Sequence, residues 1–231
     1  GYTLSGWYTA SSGGTKVGGG GESYSPTSNI TLYAQWMPIT YTIEFNGNGS
    51  TSGSTASVTA TYGVECTLPA NEFSKSGGHT VTFNGNGGDS PSAITSTSYF
   101  YNWNTKADGT GTSYNDMASV KNLRSTAGTV TLYAQWKSNA ISLPSSTRVG
   151  YTFNGWYTAA SGGTKVGGSG GSYTPTDNVT LYAQWVKTTP TIRAKVNGSI
   201  VTGLFYIKAN NAIHLVSEAY VKVNGVWKQI E

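Results

Sequence analysis

Charge, cysteine and histidine are all scarce in this sequence, and each shortage closes off a class of function. Only 10% of the 231 residues are charged. A single cysteine, Cys66, excludes an intrachain disulfide and reads as a small buried or half-buried residue. The two histidines, His79 and His214, have no second histidine or cysteine at metal-ligand spacing. His79 begins a strand and His214 sits in the apolar run AIHLV, so both read as structural. No Gly-x-Ser-x-Gly elbow occurs. Among the carboxylates, Glu44 lies on a strand, Asp108 and Asp116 in turns, and Glu65 and Glu72 flank a Leu-Pro turn, so no acid/base pair is marked. The expectation is a chain with no catalytic residues, no cofactor and no metal. No apolar stretch approaches the roughly 20 residues of a membrane span, so membrane insertion is not expected.

The net charge of +4 is unevenly placed. Residues 1–186 carry eight basic and eight acidic side chains, and residues 187–231 carry six and two. Nothing forms a basic run, so no nucleic-acid partner is expected. What the chain does have is 61 Ser and Thr and 29 Phe, Trp and Tyr. Disordered chains carry fewer aromatics and more charge. Thr, Tyr, Val and Gly in such numbers favour strands and turns.

The hexapeptide TLYAQW stands at 31–36, 131–136 and 180–185. Around it, residues 1–36 and 150–185 align without a gap, with 28 of 36 positions identical. A diverged third copy spans about 99–136. Within the hexapeptide Leu32, Ala34 and Trp36 point one way and Thr31, Tyr33 and Gln35 the other. The apolar set is the expected core face. Each unit then reuses one closing strand with one aromatic plug, worth about 2–3 kcal/mol per buried Trp. The expected anchors are Leu32, Trp36, Leu132, Trp136, Leu181 and Trp185, with Trp7, Trp103 and Trp156 from the other end of each unit. There, GYTFNGWYT breaks period two, and a bend at Gly155 (Gly6 in copy one) would return Trp156 to the core. Asn102 takes that place in copy three, as a residue that tolerates positive φ.

Between these ends, SGGTKVGGSGGSYTPT reads as a turn and loop. It lacks the order of a phosphate-binding loop, and no helix follows. YTIEFNGNG (41–49) and HTVTFNGNGG (79–88) alternate as strands ending in Asn-Gly pairs, a hairpin signal. NGNGGD is read as a turn, not as a calcium repeat. YGVECTLPANEF (62–73) and AISLPSSTRVGYTF (140–153) each place Leu-Pro after a strand. The segments are therefore 1–36, the end of a truncated repeat; 41–136, a diverged and composite region; 137–185, a repeat; and 186–231, a small β-hairpin domain. The 41–136 segment holds two first-strand motifs and 137–185 none, so one segment's strand is a candidate to complete its neighbour. Residue 1 falls inside a repeat, so a longer parent chain is expected.

YTIEFNGNG, LPSSTRVGYTFNGWYTAASGGTKV and VTLYAQW together resemble the Listeria–Bacteroides (InlB B-repeat) family over residues 1–185. The resemblance implies tandem β-grasp-like modules in extracellular proteins of bacteria and sometimes phages, acting as stalks or adhesive spacers, with no catalytic residues to carry over. The expected class is all-β to α+β.

The tail, 186–231, drops the glycine loops. IRAKVNGSIV and YVKVNGVWKQI read as two tight hairpins around a middle strand, GLFYIKA, anchored by Trp227. Its ending resembles C-termini of phage structural proteins, and no sorting signal or hydrophobic tail is visible. The tail is thus expected to dock onto a larger assembly or to self-associate. The functional expectation is a non-enzymatic structural or adhesive fibre on a virion or bacterial surface, with the ending tilting toward the virion. The alternative is a carbohydrate-binding adhesin that stacks a host glycan on the outward Tyr33, Tyr133 and Tyr182, with Tyr8 and Tyr157 as further candidates.

Overall fold

The computed structural model describes residues 1–188 in full and, as backbone alone, six strand segments within 192–229. The described residues contain no helix, so the class is all-β. First come β1 (Tyr2–Tyr8), β2 (Lys16–Gly18) and β3 (Tyr33–Pro38), in one sheet ordered β2-β1-β3. Then follow β4 (Thr40–Asn46), β5 (Val58–Thr61), β6 (Cys66–Thr67), β7 (Thr80–Asn84), β8 (Ile94–Thr95), β9 (Ser98–Asn104), β10 (Ser113–Tyr114), β11 (Ser119–Val120) and β12 (Thr129–Ser138). The last repeat adds β13 (Ile141–Ser142), β14 (Tyr151–Tyr157), β15 (Lys165–Gly167), β16 (Ser172–Tyr173) and β17 (Val179–Lys187).

These make two five-stranded sheets of the same layout, β10-β9-β12-β4-β5 and β15-β14-β17-β7-β8. A two-stranded ribbon accompanies each, β6 with β11 and β13 with β16. In both sheets the closing strand (β12 or β17) runs antiparallel to one neighbour and parallel to the other. Val130 faces Ile43 and Leu132 faces Phe45 across β12 and β4; Val179 faces Val81 and Leu181 faces Phe83 across β17 and β7. A parallel pair cannot be joined by a tight turn. Its strands must come from distant stretches of chain, and here they do.

Strand β7 lies in sequence between β5–β6 and β9, yet its sheet is that of β14 and β17. The motif missing from 137–185 is thus supplied by the second first-strand of 41–136. Accordingly the chain divides into two compact units, neither continuous. One comprises Gly1–His79, Thr95–Asn139 and Thr174–Asp177; the other comprises Thr80–Ile94, Ala140–Tyr173 and the chain from Asn178 onward.

Each five-stranded sheet has its own core. Ile43, Tyr41, Leu68, Trp103, Leu132 and Ala134 are buried in one, and Val81, Phe83, Leu143, Trp156, Leu181 and Ala183 in the other. The Leu of each Leu-Pro step, Leu68 or Leu143, is the buried residue of the strap that the ribbon lays over the sheet. Trp156 is fully buried, its Nε1 donating to Pro144 O at 2.8 Å and its ring against Phe83 and Phe153.

The bend expected at Gly155 is a β-bulge. Register jumps from Phe153–Trp185 to Gly155–Gln184, and Gly155 has φ +131°. A Cβ there would lie 2.6 Å from Gly167 O. Gly6 repeats this in copy one, with φ +147°. Asn102 departs from expectation. The bulge persists, with Phe100 opposite Trp136 and Asn102 opposite Gln135, but Asn102 is not among the positive-φ residues. Strand β10 meets β9 without the register shift that β15 makes on β14, so the backbone there needs no left-handed residue.

The C-terminal segments form three two-stranded pairs: β18 (Ile192–Val196) with β19 (Ser199–Gly203), β20 (Tyr206–Ala209) with β21 (Ala212–Leu215), and β22 (Tyr220–Val223) with β23 (Val226–Gln229). The outer two have the expected registers, Val196 opposite Ser199 and Val223 opposite Val226. The middle strand is not solitary, because the AIHL run pairs with it. The side chain of Trp227 lies outside the described residues.

Candidate functional site: the closing strand and its latch

The closing strand is where the repeated residues meet. Beyond Asn84, β7 turns away from β17, and the parallel ladder would end there. Instead Asn86, in the left-handed region at φ 47°, reaches back. Its Nδ2 donates to Ala183 O at 3.0 Å and to Ala160 O at 2.8 Å. In return, Trp185 Nε1 donates to Gly85 O at 3.0 Å. Asn84 Oδ1 accepts from the Asn86 amide, fixing the turn. The other unit builds the same latch. Asn48, at φ 46°, donates to Ala134 O at 2.9 Å and Ala107 O at 2.8 Å, while Trp136 Nε1 donates to Gly47 O at 2.9 Å. The NGNG motifs are therefore not two-residue hairpin turns, as expected from sequence. They are clasps between the first and closing strands. Their second residue must be glycine, since a Cβ on Gly85 would meet Gly88 O at 2.3 Å.

The glutamine has its own task. Gln184 Nε2 donates to Ala159 O and Gly162 O, and Gln35 Nε2 to Ala10 O and Gly13 O, so each clips down the glycine loop. Gln135 does the same to Lys106 O and Ala107 O. In that loop Asn104, 1% exposed, replaces a tyrosine and acts as a hub, accepting from the Lys106 and Gly111 amides and donating to Gly109 O. Asp108 accepts from the amide and hydroxyl of Thr110, which holds its carboxyl below the ordinary 3.8.

The expected anchors divide. Leu132, Leu181, Trp103 and Trp156 are fully buried. Trp136 and Trp185 are half-buried, because they sit past the bulge where the indole must reach the clasp. Copy one does not bury its anchors. Trp7 is 40% and Trp36 59% exposed, and Leu32 is half-buried. The reason is the sheet order β2-β1-β3, in which no first strand flanks β3.

Of the tyrosines proposed to stack on sugars, Tyr33 is 40% exposed, while Tyr133 and Tyr182 are half-buried beside Asn104 and Tyr157 across the strands. Tyr8 and Tyr157 are also half-buried. The more exposed Tyr2, Tyr99 and Tyr101 escaped the sequence reading. Tyr101 carries Lys137 Nζ 3.3 Å above its ring. Burial raises the Tyr114 hydroxyl above its ordinary 10.0.

A surface depression of about 490 Å³ is lined by Gly87, Gly88, Asp89, Thr147, Arg148, Val149 and Tyr151. Its charged groups are engaged within the unit. Arg148 lies over the Tyr151 ring at 3.9 Å, and Asp89 accepts from the Thr147 hydroxyl. Cys66 is half-buried, and no group of three or more His, Cys, Asp or Glu gathers as a metal site among the described residues. Nor do they include a helix long and apolar enough to cross a membrane.

Two curated relatives come from Evansella cellulosilytica. One, named "Putative Gly-rich membrane protein", is 34% identical over 158 residues, covering 62% of this chain and 15% of its own length. The other, named "Putative membrane protein", is 32% identical over 113 residues, covering 49% of this chain and 14% of its own. The chain thus spans less than a sixth of the relatives it matches. No solved structure matches it. The Listeria-Bacteroides repeat domain matches at residues 1–35, 41–78, 90–135 and 137–184, leaving β7 between two matches. On that coverage, this chain belongs to the Listeria-Bacteroides repeat family.

Proposed function

We propose that this chain is a non-enzymatic spacer or adhesive segment of a longer protein of the cell envelope. One observation carries the reading. The residues that recur between copies are spent on their own module: Asn on a backbone carbonyl, Trp on the clasp, Gln on the glycine loop. In the two five-stranded modules these side chains hold the fold and do not converge on a common site. The names of the relatives support a membrane-associated parent, and favour a cell envelope over the virion suggested by the C-terminal ending. The test is accessibility. An antibody against residues 1–188 should label intact, unpermeabilised cells that carry the full-length parent protein. Labelling only after permeabilisation would overturn the proposal.

A second reading, a glycan-binding adhesin, has Tyr33 in its favour as a tyrosine of the closing strand that is 40% exposed. Submillimolar binding on a glycan array, lost on Tyr33→Ala or Tyr182→Ala, would select it. For residues 187–231 we propose docking to a larger assembly. Deleting them should abolish incorporation and leave the repeats folded, and retained assembly would refute that role.

A further inference from the structure

In each five-stranded sheet the first strand and the closing strand are also the strands that carry the chain in and out. Strand β4 opens at Thr40, directly after β3, and β12 closes at Ser138, where the chain is about to leave that unit. Strand β7 opens at Thr80, where the chain leaves the same unit at His79, and β17 closes at Lys187. Both pairs are parallel. The N-terminal end of the first strand and the C-terminal end of its partner therefore lie at opposite ends of the ladder. Tension between those two ends slides the strands along each other. It loads all the rungs together, five register pairs in one sheet and four in the other. An antiparallel pair behaves in the opposite way. Tyr151 opens β14 directly across from Lys187 at the close of β17, so a pull on those two ends peels the pair rung by rung. Forced unfolding is governed by the rate of unfolding, hence by its barrier. Rungs that must fail together raise that barrier above rungs that fail in turn.

The clasp lies along the direction of the load. The parallel ladder ends where Asn84 faces Tyr182. Gly85 is one residue past that rung and Trp185 three residues past it on the partner, yet the indole Nε1 donates back to Gly85 O at 3.0 Å. Drawing β7 toward its start and β17 toward its end stretches this bond from the first increment. Trp136 and Gly47 stand the same way past the rung of Asn46 and Tyr133, at 2.9 Å. Asn86 and Asn48 hold the turn of the clasp to the closing strand through Ala183 O and Ala134 O.

We infer that each five-stranded unit is a shear clamp, a load-bearing device in which the parallel ladder carries tension and the clasp of Trp and Asn locks it. The recurrence of these residues then has a mechanical purpose beyond holding the fold at rest. This deepens the spacer reading, and its test reads the mechanics of the unit alone, whatever surface the parent protein occupies.

Single-molecule force spectroscopy on the 231-residue chain tests it, with Cys66→Ser and pulling handles on paired introduced cysteines. His79→Cys with Lys187→Cys pulls β7 and β17 in shear. Val149→Cys with Lys187→Cys pulls β14 and β17 apart from one end. Rupture in shear should need severalfold more force than peeling. Asn86→Gly should lower the shear force and leave the peeling force unchanged, whereas a clasp that only adds general stability would lower both. Where Asn86→Gly does not fold, Trp185→Phe, which removes only the indole donor and keeps an aromatic ring, should lower the shear force. The comparison of the two geometries needs neither variant. Equal forces in the two geometries, a shear force indifferent to both variants, or an equal loss in both geometries on Asn86→Gly would each overturn the inference. A weak clamp in a protein that antibody labels on intact cells removes the clamp and leaves the spacer. A strong clamp in a protein labelled only after permeabilisation does the reverse.

Discussion

Replacing Asn86 dissects the clasp. Its side chain contributes two hydrogen bonds to backbone carbonyls, each worth about 1 kcal/mol net, and it occupies a left-handed backbone that costs a non-glycine side chain without local hydrogen bonds about 1–2 kcal/mol. Asn86→Gly removes the bonds and keeps the backbone free, so it should cost about 2 kcal/mol. Asn86→Ala removes the bonds and adds the backbone strain, so it should cost about 3 kcal/mol. The ordering is unusual, because alanine outside such a position ordinarily beats glycine. Guanidinium unfolding followed by the fluorescence of Trp156 and Trp185 measures both, with Asn48→Gly and Asn48→Ala as the paired experiment on Trp103 and Trp136. A loss under about 0.5 kcal/mol for Asn86→Ala, or an alanine variant more stable than the glycine one, would refute the clasp.

Gly155→Ala should cost more than about 2 kcal/mol, from the positive φ and the contact with Gly167 O, whereas Asn102→Gly, which removes a buried Oδ1 with no partner, should be near neutral; thermal unfolding separates them. A truncated chain of residues 137–231 lacks β7 and should fail to fold its repeat, while addition of residues 77–97 in trans should restore Trp156 burial; a cooperative transition in the truncated chain alone would contradict the strand assignment. The carboxyl of Asp108 is held below its ordinary 3.8 in the folded chain, so its contribution to the 104–111 turn is present above that pH and is lost as pH falls through the lower folded value. The Thr110 amide resonance should titrate there, and Asp108→Asn should flatten the profile.

Much of this was legible in residues. Period-two alternation in TLYAQW put Leu132 and Leu181 in the core, and the broken period at GYTFNGW pointed to Gly155. The count of first strands against closing strands marked the place where one segment completes another. NGNG was misread because two-residue Asn-Gly turns and longer clasps share a sequence and differ only in where the Asn side chain finds acceptors. Those acceptors, Ala183 and Ala160, are remote in sequence. Trp7 and Trp36 were misread because identical sequence implies identical local structure, whereas burial depends on what else is present. Asn104 gave no signal, since a hub is defined by a loop closing around it.

The interleaving of β7 has a consequence for heredity. In most tandem arrays a duplication or deletion can gain or lose one copy cleanly at its borders. Here the chain of one module is interrupted by part of the next. A crossover anywhere from residue 47 to residue 178 separates at least one first strand from the closing strand it serves. Recombination that preserves both cores must therefore carry the pair as one cassette, and copy number in descendants of this segment should change by two.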